Sequence, residues 1–231
     1  MSFAALPERL AQVRAEIARW QNAGGWTHPV TIVAVTKGFG PEAVTAAVQA
    51  GLADIGENRV QEALDKMDRV PAAGVRWHLI GHLQRNKAKL VPGRFALVQS
   101  VDSLELATEL SKRASAPLPV LLQVNVARES QKSGCTLEEA PGLARQMAGL
   151  GHLKLEGLMT IAPFTDDEDV QRRTFRSLRA LRDTIKEAGV WLPTLSMGMS
   201  ADYATAVAEG ATVIRLGTVL FGPRQTEKRA P

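Results

Sequence analysis

Hydrophobic positions along the chain follow two alternating spacings, one typical of helices and one typical of buried strands. Over residues 3–20 the apolar residues recur every three or four positions, which predicts an amphipathic helix. Residues 30–36 then form a β-branched run that is apolar on both faces, as expected of a strand inside a parallel sheet. Pro41 suits the first turn of a helix that continues to about residue 50. The chain thus begins with one helix and one strand-and-helix unit.

The strand-and-helix pattern repeats to the end of the chain. The further strand-like runs cover residues 53–56, 77–80, 95–99, 119–126, 155–159, 194–197 and 213–216. Helical stretches between them cover residues 59–67, 86–90, 103–114, 137–148, 167–188 and 201–209. Eight alternating units predict an α/β fold, a single closed (β/α)8 TIM barrel over about residues 30–222 with an extra N-terminal helix, in one domain over residues 1–231. The alternative, a doubly wound open sheet, has about five or six strands.

Composition narrows the class of protein. Of the 231 residues, 45% are hydrophobic and 23% are charged, which are typical values for a folded, enzyme-like domain. One cysteine, Cys135, cannot form an internal disulfide, and with only 4 histidines the chain offers no zinc-ligand spacing, so we expect no metal site. No apolar run approaches the ~18 residues of a membrane span, and the first residues lack a signal-peptide core. We therefore expect a cytoplasmic protein without membrane contact.

The charge pattern bears on possible partners. The net charge is +4, but aromatic residues make up only 5% of the chain and do not alternate with basic ones, so we expect no nucleic-acid binding. The densest basic stretch, residues 172–186, has helical spacing, which favours a solvated helix face over an anion or partner site.

Lys37 is the first candidate for chemistry. It directly follows the first predicted strand, and a barrel keeps its chemistry at the C-terminal ends of its strands. Burial among aliphatic side chains disfavours the ammonium form, and a neutral amine attacks a carbonyl to form a Schiff base. The alternative is a strand-end lysine whose ammonium group extends to solvent. Position alone leaves both interpretations open.

Two glycine-containing loops, after the seventh and eighth strands, predict an anion site. The segment from Ser196 to Ser200 combines small hydroxyls with a glycine before a helix, where backbone N–H groups favour an anion. Gly217 and Thr218 follow the last strand, and barrels commonly bind phosphate at these two loops. Together with Lys37 on the neighbouring first strand, they fit a phosphorylated aldehyde such as pyridoxal 5′-phosphate (PLP).

Arg215 has a place in the same candidate site. It lies two residues before Gly217, so alternation along the strand puts both residues on one face. A guanidinium beside the pyridine nitrogen of PLP would keep that nitrogen unprotonated and weaken the cofactor as an electron sink. The alternative role for Arg215 is an ion pair with a barrel carboxylate.

Several phrases of the sequence resemble one family. They are Val33-Ala-Val-Thr-Lys37, Ile55-Gly-Glu-Asn-Arg-Val-Gln-Glu62, Trp77-His-Leu-Ile-Gly-His-Leu-Gln84, Gly157-Leu-Met159, Leu195-Ser-Met-Gly-Met-Ser-Ala-Asp202 and Ile214-Arg-Leu-Gly-Thr218. With Phe221-Gly222 they span residues 33–222, nearly the whole chain. By these phrases the sequence is similar to the YggS/PROSC family of pyridoxal phosphate homeostasis proteins, which are fold type III barrels related to the N-terminal domain of alanine racemase.

The resemblance implies a role for each candidate residue. Lys37 would form the Schiff base with PLP, and Arg215 would face the pyridine nitrogen. The residues that would line the cofactor or hold its phosphate are Asn58, Met159, Ser196, Ser200, Gly217 and Thr218. Lys132 matches a family lysine that handles the cofactor away from the main site. His82 follows a family phrase but is equally consistent with a hydrogen-bonded loop histidine.

The resemblance also implies a carrier that supplies, delivers or buffers PLP, with no catalytic residues and no robust amino-acid turnover. Alanine racemase and the basic amino-acid decarboxylases share the barrel but add a β-domain whose tyrosine acts as a second base in racemisation, whereas this sequence ends soon after Thr218. We expect a monomer that contacts apo PLP-dependent enzymes transiently. Two enzyme hypotheses stay open: a residual amino-acid transformation, and an aldolase that uses Lys37 with an acid/base such as Glu57.

Overall fold

Eight parallel strands form a closed barrel in the order of the sequence. The computed structural model describes residues 3–70 and 74–223. The strands are β1 (Thr31–Val35), β2 (Asp54–Glu57), β3 (Arg76–Leu79), β4 (Leu97–Val101), β5 (Leu118–Gln123), β6 (Leu153–Met159), β7 (Thr194–Met199) and β8 (Val213–Leu216). β8 pairs with β1, Val33 lying opposite Arg215, and this pairing closes the barrel. The predicted (β/α)8 fold is confirmed.

Helices connect the strands and surround them. They are α1 (Leu6–Gly24), α2 (Pro41–Gln49), α3 (Val60–Arg69), α4 (Leu104–Arg113), α5 (Ala140–Ala148), α6 (Glu168–Glu187), α7 (Tyr203–Ala208) and α8 (Thr218–Phe221), with a 3-10 helix (Arg85–Leu90) after β3. The 3-10 helix replaces an α-helix that the pattern predicts, and α8 is not predicted by it. Over residues 3–70 and 74–223, no helix combines the length and the apolar character needed to cross a membrane.

The strands separate two apolar layers. The main core packs strand residues such as Ala34 and Ile55 against the surrounding helices. A smaller cluster of Leu97, Leu121 and Met159 lies apart from it. A Cβ atom built on Gly56 would stand 2.8 Å from Cγ1 of Val33 and 3.5 Å from Cγ2 of Val35. These residues therefore share the inner face of the barrel, while Ala34 and Ile55 face the helices.

The basic stretch of α6 is only in part the solvated face that its spacing favours: Arg173 and Lys186 are exposed. Three of its arginines converge on Glu209, with N–O distances of 3.1 Å from Arg172, 2.9 Å from Arg176 and 3.3 Å from Arg179. Burial alone would raise the pKa of Glu209, but the hydrogen bonds from Arg176 and Arg172 outweigh it and hold that pKa below its usual value. Arg179 also stacks 5.2 Å from the ring centre of Trp26. This part of α6 therefore binds the C-terminal end of α7 through Glu209.

Candidate functional site

Lys37 lies at the mouth of the barrel, between the ends of β2 and β8. It follows the inward-facing Val35 by two residues, in the turn after the strand has ended, and its side chain is half-buried. On one side Val35 pairs with Gly56. On the other side, a Cβ atom built on Gly217 would stand 3.6 Å from the Val35 carbonyl oxygen. The register therefore places Lys37 near Asn58, two residues beyond Gly56, and near the turn that begins at Gly217.

Asn58 and Met159 occupy different depths of the site. Asn58 is half-buried and packs against the backbone of Gly81, where an added Cβ atom would lie 2.7 Å from the Asn58 Oδ1. Any side chain at position 81 would therefore displace Asn58. Met159 is fully buried inside the barrel with Leu97 and Leu121. Met159 can support a ligand from within the barrel, and Asn58 can contact one at the mouth.

Ser200 joins the loops that follow β7 and β8. Its Oγ accepts hydrogen bonds from the backbone N–H of Gly217 at 3.1 Å and of Val219 at 3.3 Å. Thr218, between these two residues, is exposed. The Met199 N–H donates to the Asp202 Oδ1 at 2.5 Å, which stabilises the first of the two loops. A hydroxyl and backbone N–H groups thus converge at the edge of the mouth, and such groups can bind a phosphate.

Arg215 is a cation buried inside the barrel, with 4% exposure. It donates from Nη1 to the Ser196 Oγ at 2.6 Å and from Nη2 to the Thr160 carbonyl oxygen at 2.8 Å. Burial lowers the pKa of Arg215 to about 10, against a smaller opposing effect of Asp202, so the guanidinium stays charged at neutral pH. Among the described residues no carboxylate forms an ion pair with it, in contrast to the alternative role that the sequence left open.

A chain of hydrogen bonds continues from Arg215 through the barrel. Ser196 donates to the Gln99 Oε1 at 2.6 Å, and the Gln99 amide lies 2.9 Å from the His78 Nδ1. His78 Nε2 lies 2.9 Å from the Asp54 Oδ1. If the His78 Nε2 is the donor to Asp54, its Nδ1 can accept a hydrogen bond from the Gln99 amide. Every hydrogen bond of the series from Arg215 to Asp54 then has one donor and one acceptor.

The two candidate serines have different roles with respect to this series of hydrogen bonds. The hydroxyl of Ser196 serves Arg215 and Gln99 inside the barrel, whereas that of Ser200 lies at the loops. Sequence reasoning missed Gln99, His78 and Asp54. The sequence does contain a signal for them, because each is a polar residue at an inward position of its strand, which alternation along the strand can indicate.

Comparison with known proteins identifies the family. Residues 9–225 match the family model of the alanine racemase N-terminal domain. The pyridoxal phosphate homeostasis protein of Pseudomonas aeruginosa is 42% identical over 224 residues, covering 95% of this chain and 96% of the relative. The Escherichia coli protein of the same name is 38% identical, covering 97% of this chain and 99% of the relative. This chain belongs to the pyridoxal phosphate homeostasis protein family.

Solved structures share the fold of this family member. PipY of Synechococcus elongatus, described with PLP bound, is 34% identical with a TM-score of 0.83, covering 94% of this chain and 100% of PipY. Alanine racemase of Clostridium difficile is 16% identical with a TM-score of 0.75, covering 94% of this chain and 58% of the racemase. The racemase comparison shows the same barrel fold only.

Lys132 and His82 lie in loops at the mouth of this homeostasis-family barrel. Lys132, in the loop after β5, donates to the Ala162 carbonyl oxygen at 2.8 Å and pairs with Glu129. His82 is an exposed loop residue whose Nδ1 lies 3.8 Å from the Asp102 Oδ2. The role of Lys132 in handling the cofactor stays a prediction.

Glu57 does not face the mouth of the family barrel. It is fully buried between β2 and α3, where its Oε1 accepts hydrogen bonds from Thr36 Oγ1 at 2.5 Å and Lys66 Nζ at 2.6 Å. Burial raises the pKa of Glu57 above its usual value and outweighs these two hydrogen bonds. The aldolase hypothesis therefore loses the acid/base group on which it depended.

Replacing Ser196 with alanine should destabilise the protein before any ligand is added. Arg215 and Gln99 would each lose a buried partner, and an unsatisfied buried polar group costs about 1–3 kcal/mol. Urea denaturation of the ligand-free Ser196→Ala protein measures this loss. Ser115→Ala, at an exposed bend, is the matched control and should change stability by less than about 0.5 kcal/mol. Equal stability of the two variants would contradict the proposed support of Arg215.

Proposed function

We propose that this chain binds PLP at the mouth of its barrel and takes part in the supply, delivery or buffering of PLP, without robust amino-acid turnover. The observation that carries the proposal is Arg215, a buried guanidinium that donates to neutral oxygens inside the barrel whose mouth carries Lys37. Such a cation favours a ligand atom with a free lone pair, as in an unprotonated pyridine. The named relatives and the PLP-bound PipY structure support the same cofactor.

The residues around the mouth match the parts of PLP. Lys37 supplies the amine that bonds to the aldehyde carbon, with formation of a C=N bond and departure of the aldehyde oxygen as water. Ser200, Gly217 and Thr218 hold the phosphate at the two joined loops. In this proposal Ser196 contributes by fixing Arg215, because its hydroxyl already serves Arg215 and Gln99.

The same residues argue against amino-acid turnover. Loss of a proton or of carbon dioxide next to the C=N bond is faster when a protonated pyridine accepts charge, and Arg215 disfavours that protonation. A two-base racemase also needs a base on the far face of the cofactor. The sequence contains one tyrosine, Tyr203, which begins α7 and packs against the main core. Burial raises the pKa of Tyr203, and the nearby Glu16 carboxylate of α1 raises it further. We therefore propose a carrier rather than an amino-acid enzyme. We further propose that it is a monomer and that it contacts apo PLP-dependent enzymes transiently.

Lys37→Ala should abolish the visible absorbance band that forms when PLP is added to the protein. The band requires the C=N bond, and borohydride reduction followed by peptide mapping should label Lys37 in the wild type. Lys89→Ala, at an exposed lysine of the 3-10 helix, and Lys132→Ala should keep the main band. Labelling that maps chiefly to another lysine would show that Lys37 is not the attachment point.

Pyridoxal without its phosphate should bind at least about 100-fold more weakly than PLP. Hydrogen bonds to a charged group contribute about 1.5–3 kcal/mol each, and at least two would be lost. Titration by absorbance or calorimetry gives both affinities. Ser200→Ala should weaken PLP binding but leave the binding of pyridoxal nearly unchanged. Equal affinities for the two ligands in the wild type would show that the loops do not bind phosphate.

PLP-saturated protein should show negligible racemase and decarboxylase activity towards a panel of L-amino acids. A protonated pyridine favours both reactions, and Arg215 disfavours that protonation. Transfer of PLP to an apo-enzyme should proceed. Chiral chromatography and carbon dioxide release measure the first two activities, and recovery of apo-enzyme activity measures the third. Racemisation or decarboxylation at about 1 per second, the lower end of ordinary enzyme rates, would identify the protein as an enzyme.

A further inference from the structure

Side chains of α3 hold the backbone on both sides of Lys37. The Lys66 ammonium donates to the carbonyl oxygen of Thr36, the residue before Lys37, at 2.8 Å. The Glu62 Oε1 accepts a hydrogen bond from the N–H of Gly38, the residue after Lys37, at 2.9 Å. Two residues of one helix, four positions apart, thus bind the peptide groups that flank the proposed attachment point.

The two side chains belong to one buried cluster. Lys66 is 3% exposed, and besides Thr36 its ammonium donates to the Glu57 Oε1 at 2.6 Å and to the Glu62 Oε1 at 3.0 Å. All three donors of the ammonium are therefore used. The Thr36 hydroxyl bonds to the same Glu57 oxygen at 2.5 Å. Because a buried charge is costly unless it is hydrogen-bonded, these contacts hold the ammonium in place, while the buried Glu57 Oε2 has no hydrogen-bond partner among the described residues.

The segment that carries Lys37 needs such support, because it has left the sheet. β1 ends at Val35, and the Thr36 N–H makes one further hydrogen bond to the Gly56 carbonyl oxygen, at 3.1 Å. Lys37 then lies in a turn, and Gly38 has a φ angle of 74°, which favours glycine. The α3 cluster supplies hydrogen bonds where strand pairing stops.

We propose that Lys66 and Glu62 are positioning residues for Lys37. They fix the backbone from which the lysine side chain extends, so that its Nζ meets the aldehyde carbon of a ligand already held by its ring and phosphate. The inference rests on the proposed binding of PLP. Loss of such positioning lowers the rate and the stability of bond formation, and misplacement by about 1 Å can cost up to about 100-fold.

Two ligands separate positioning from a general structural effect. PLP can bond to Lys37, whereas pyridoxine 5′-phosphate has the same ring and phosphate but an alcohol in place of the aldehyde. A variant that misplaces Lys37 should bind PLP about tenfold or more weakly and bind the alcohol as the wild type does. A variant that distorts the whole site should lose affinity for both ligands.

The first variant is the double substitution Glu57→Gln with Lys66→Met. It removes both charges of the buried pair at similar side-chain volume. Glu62 loses its contact to Lys66 but is partly exposed and keeps the hydrogen bond from the Gly38 N–H. Its PLP affinity should fall about tenfold with no change for pyridoxine 5′-phosphate. Arg69→Met, in the same helix at a largely exposed position, should change neither affinity.

A second pair of variants tests the contact to Gly38 and keeps both members of the buried Glu57–Lys66 pair, although Glu62→Ala also removes one of the three acceptors of the Lys66 ammonium. Glu62→Ala removes the acceptor of the Gly38 N–H, whereas Glu62→Gln keeps an acceptor oxygen at the same place. Glu62 is partly exposed, so both proteins should fold. PLP affinity should fall in Glu62→Ala and be restored towards the wild-type value in Glu62→Gln. This pair keeps the inference testable if the double variant fails to fold.

Two results would overturn the inference. One is an equal loss of affinity for PLP and for the alcohol, which would make the cluster merely structural. The other is wild-type PLP affinity in the double variant and in Glu62→Ala. A wild-type protein that binds pyridoxine 5′-phosphate but forms no bond to PLP would instead contradict the proposed function, and the inference with it.

Discussion

A positive charge buried inside the barrel constrains the rest of the site. Burying a guanidinium costs several kcal/mol unless hydrogen bonds compensate, and Arg215 on β8 is almost completely buried. The compensating groups come from β7, the end of β6 and, through the chain of hydrogen bonds, from β4, β3 and β2. Only a closed barrel brings the inner faces of these strands together. The charge and the barrel closure therefore depend on each other.

Charged groups form two separate layers, one inside the barrel and one outside its strands. Inside the barrel, the hydrogen-bond chain runs from Arg215 to Asp54, which also binds Arg76 with an N–O distance of 2.7 Å. Outside the strands, the cluster of Lys66 and its two glutamates lies between β2 and α3. The inner layer sets the electrostatics of the pocket that Lys37 faces, and the outer layer fixes the backbone from which Lys37 extends. Because the strands lie between them, the two layers can be altered independently.

The order of elements was predictable from the sequence because each signal is local. Short apolar runs, separated by stretches with helical spacing, indicated all eight strands, and strand-end position singled out Lys37, Ser200 and Arg215. The partners of these residues were not predictable in the same way. Gln99 meets Ser196 across 97 positions of sequence, and Lys66 meets Thr36 across 30. Such contacts depend on register and barrel closure. The arginines of α6 show the same limit, since their spacing does not reveal Glu209 opposite them.

Exposure increases across the proposed site from the interior outwards, and this gradient suits the proposed release of PLP to an acceptor. Arg215 is buried, Lys37 and Ser200 are half-buried, and Thr218 is exposed. In the proposed arrangement the ring nitrogen lies deep, and the carbon bonded to Lys37 lies nearer the mouth. An acceptor amine can then approach that carbon from solvent without disturbing the barrel interior. Because Ser196 and Thr160 hold Arg215 in place, the nitrogen would stay unprotonated while the acceptor approaches. In this proposal, the interactions that disfavour amino-acid turnover would therefore also preserve the cofactor for transfer.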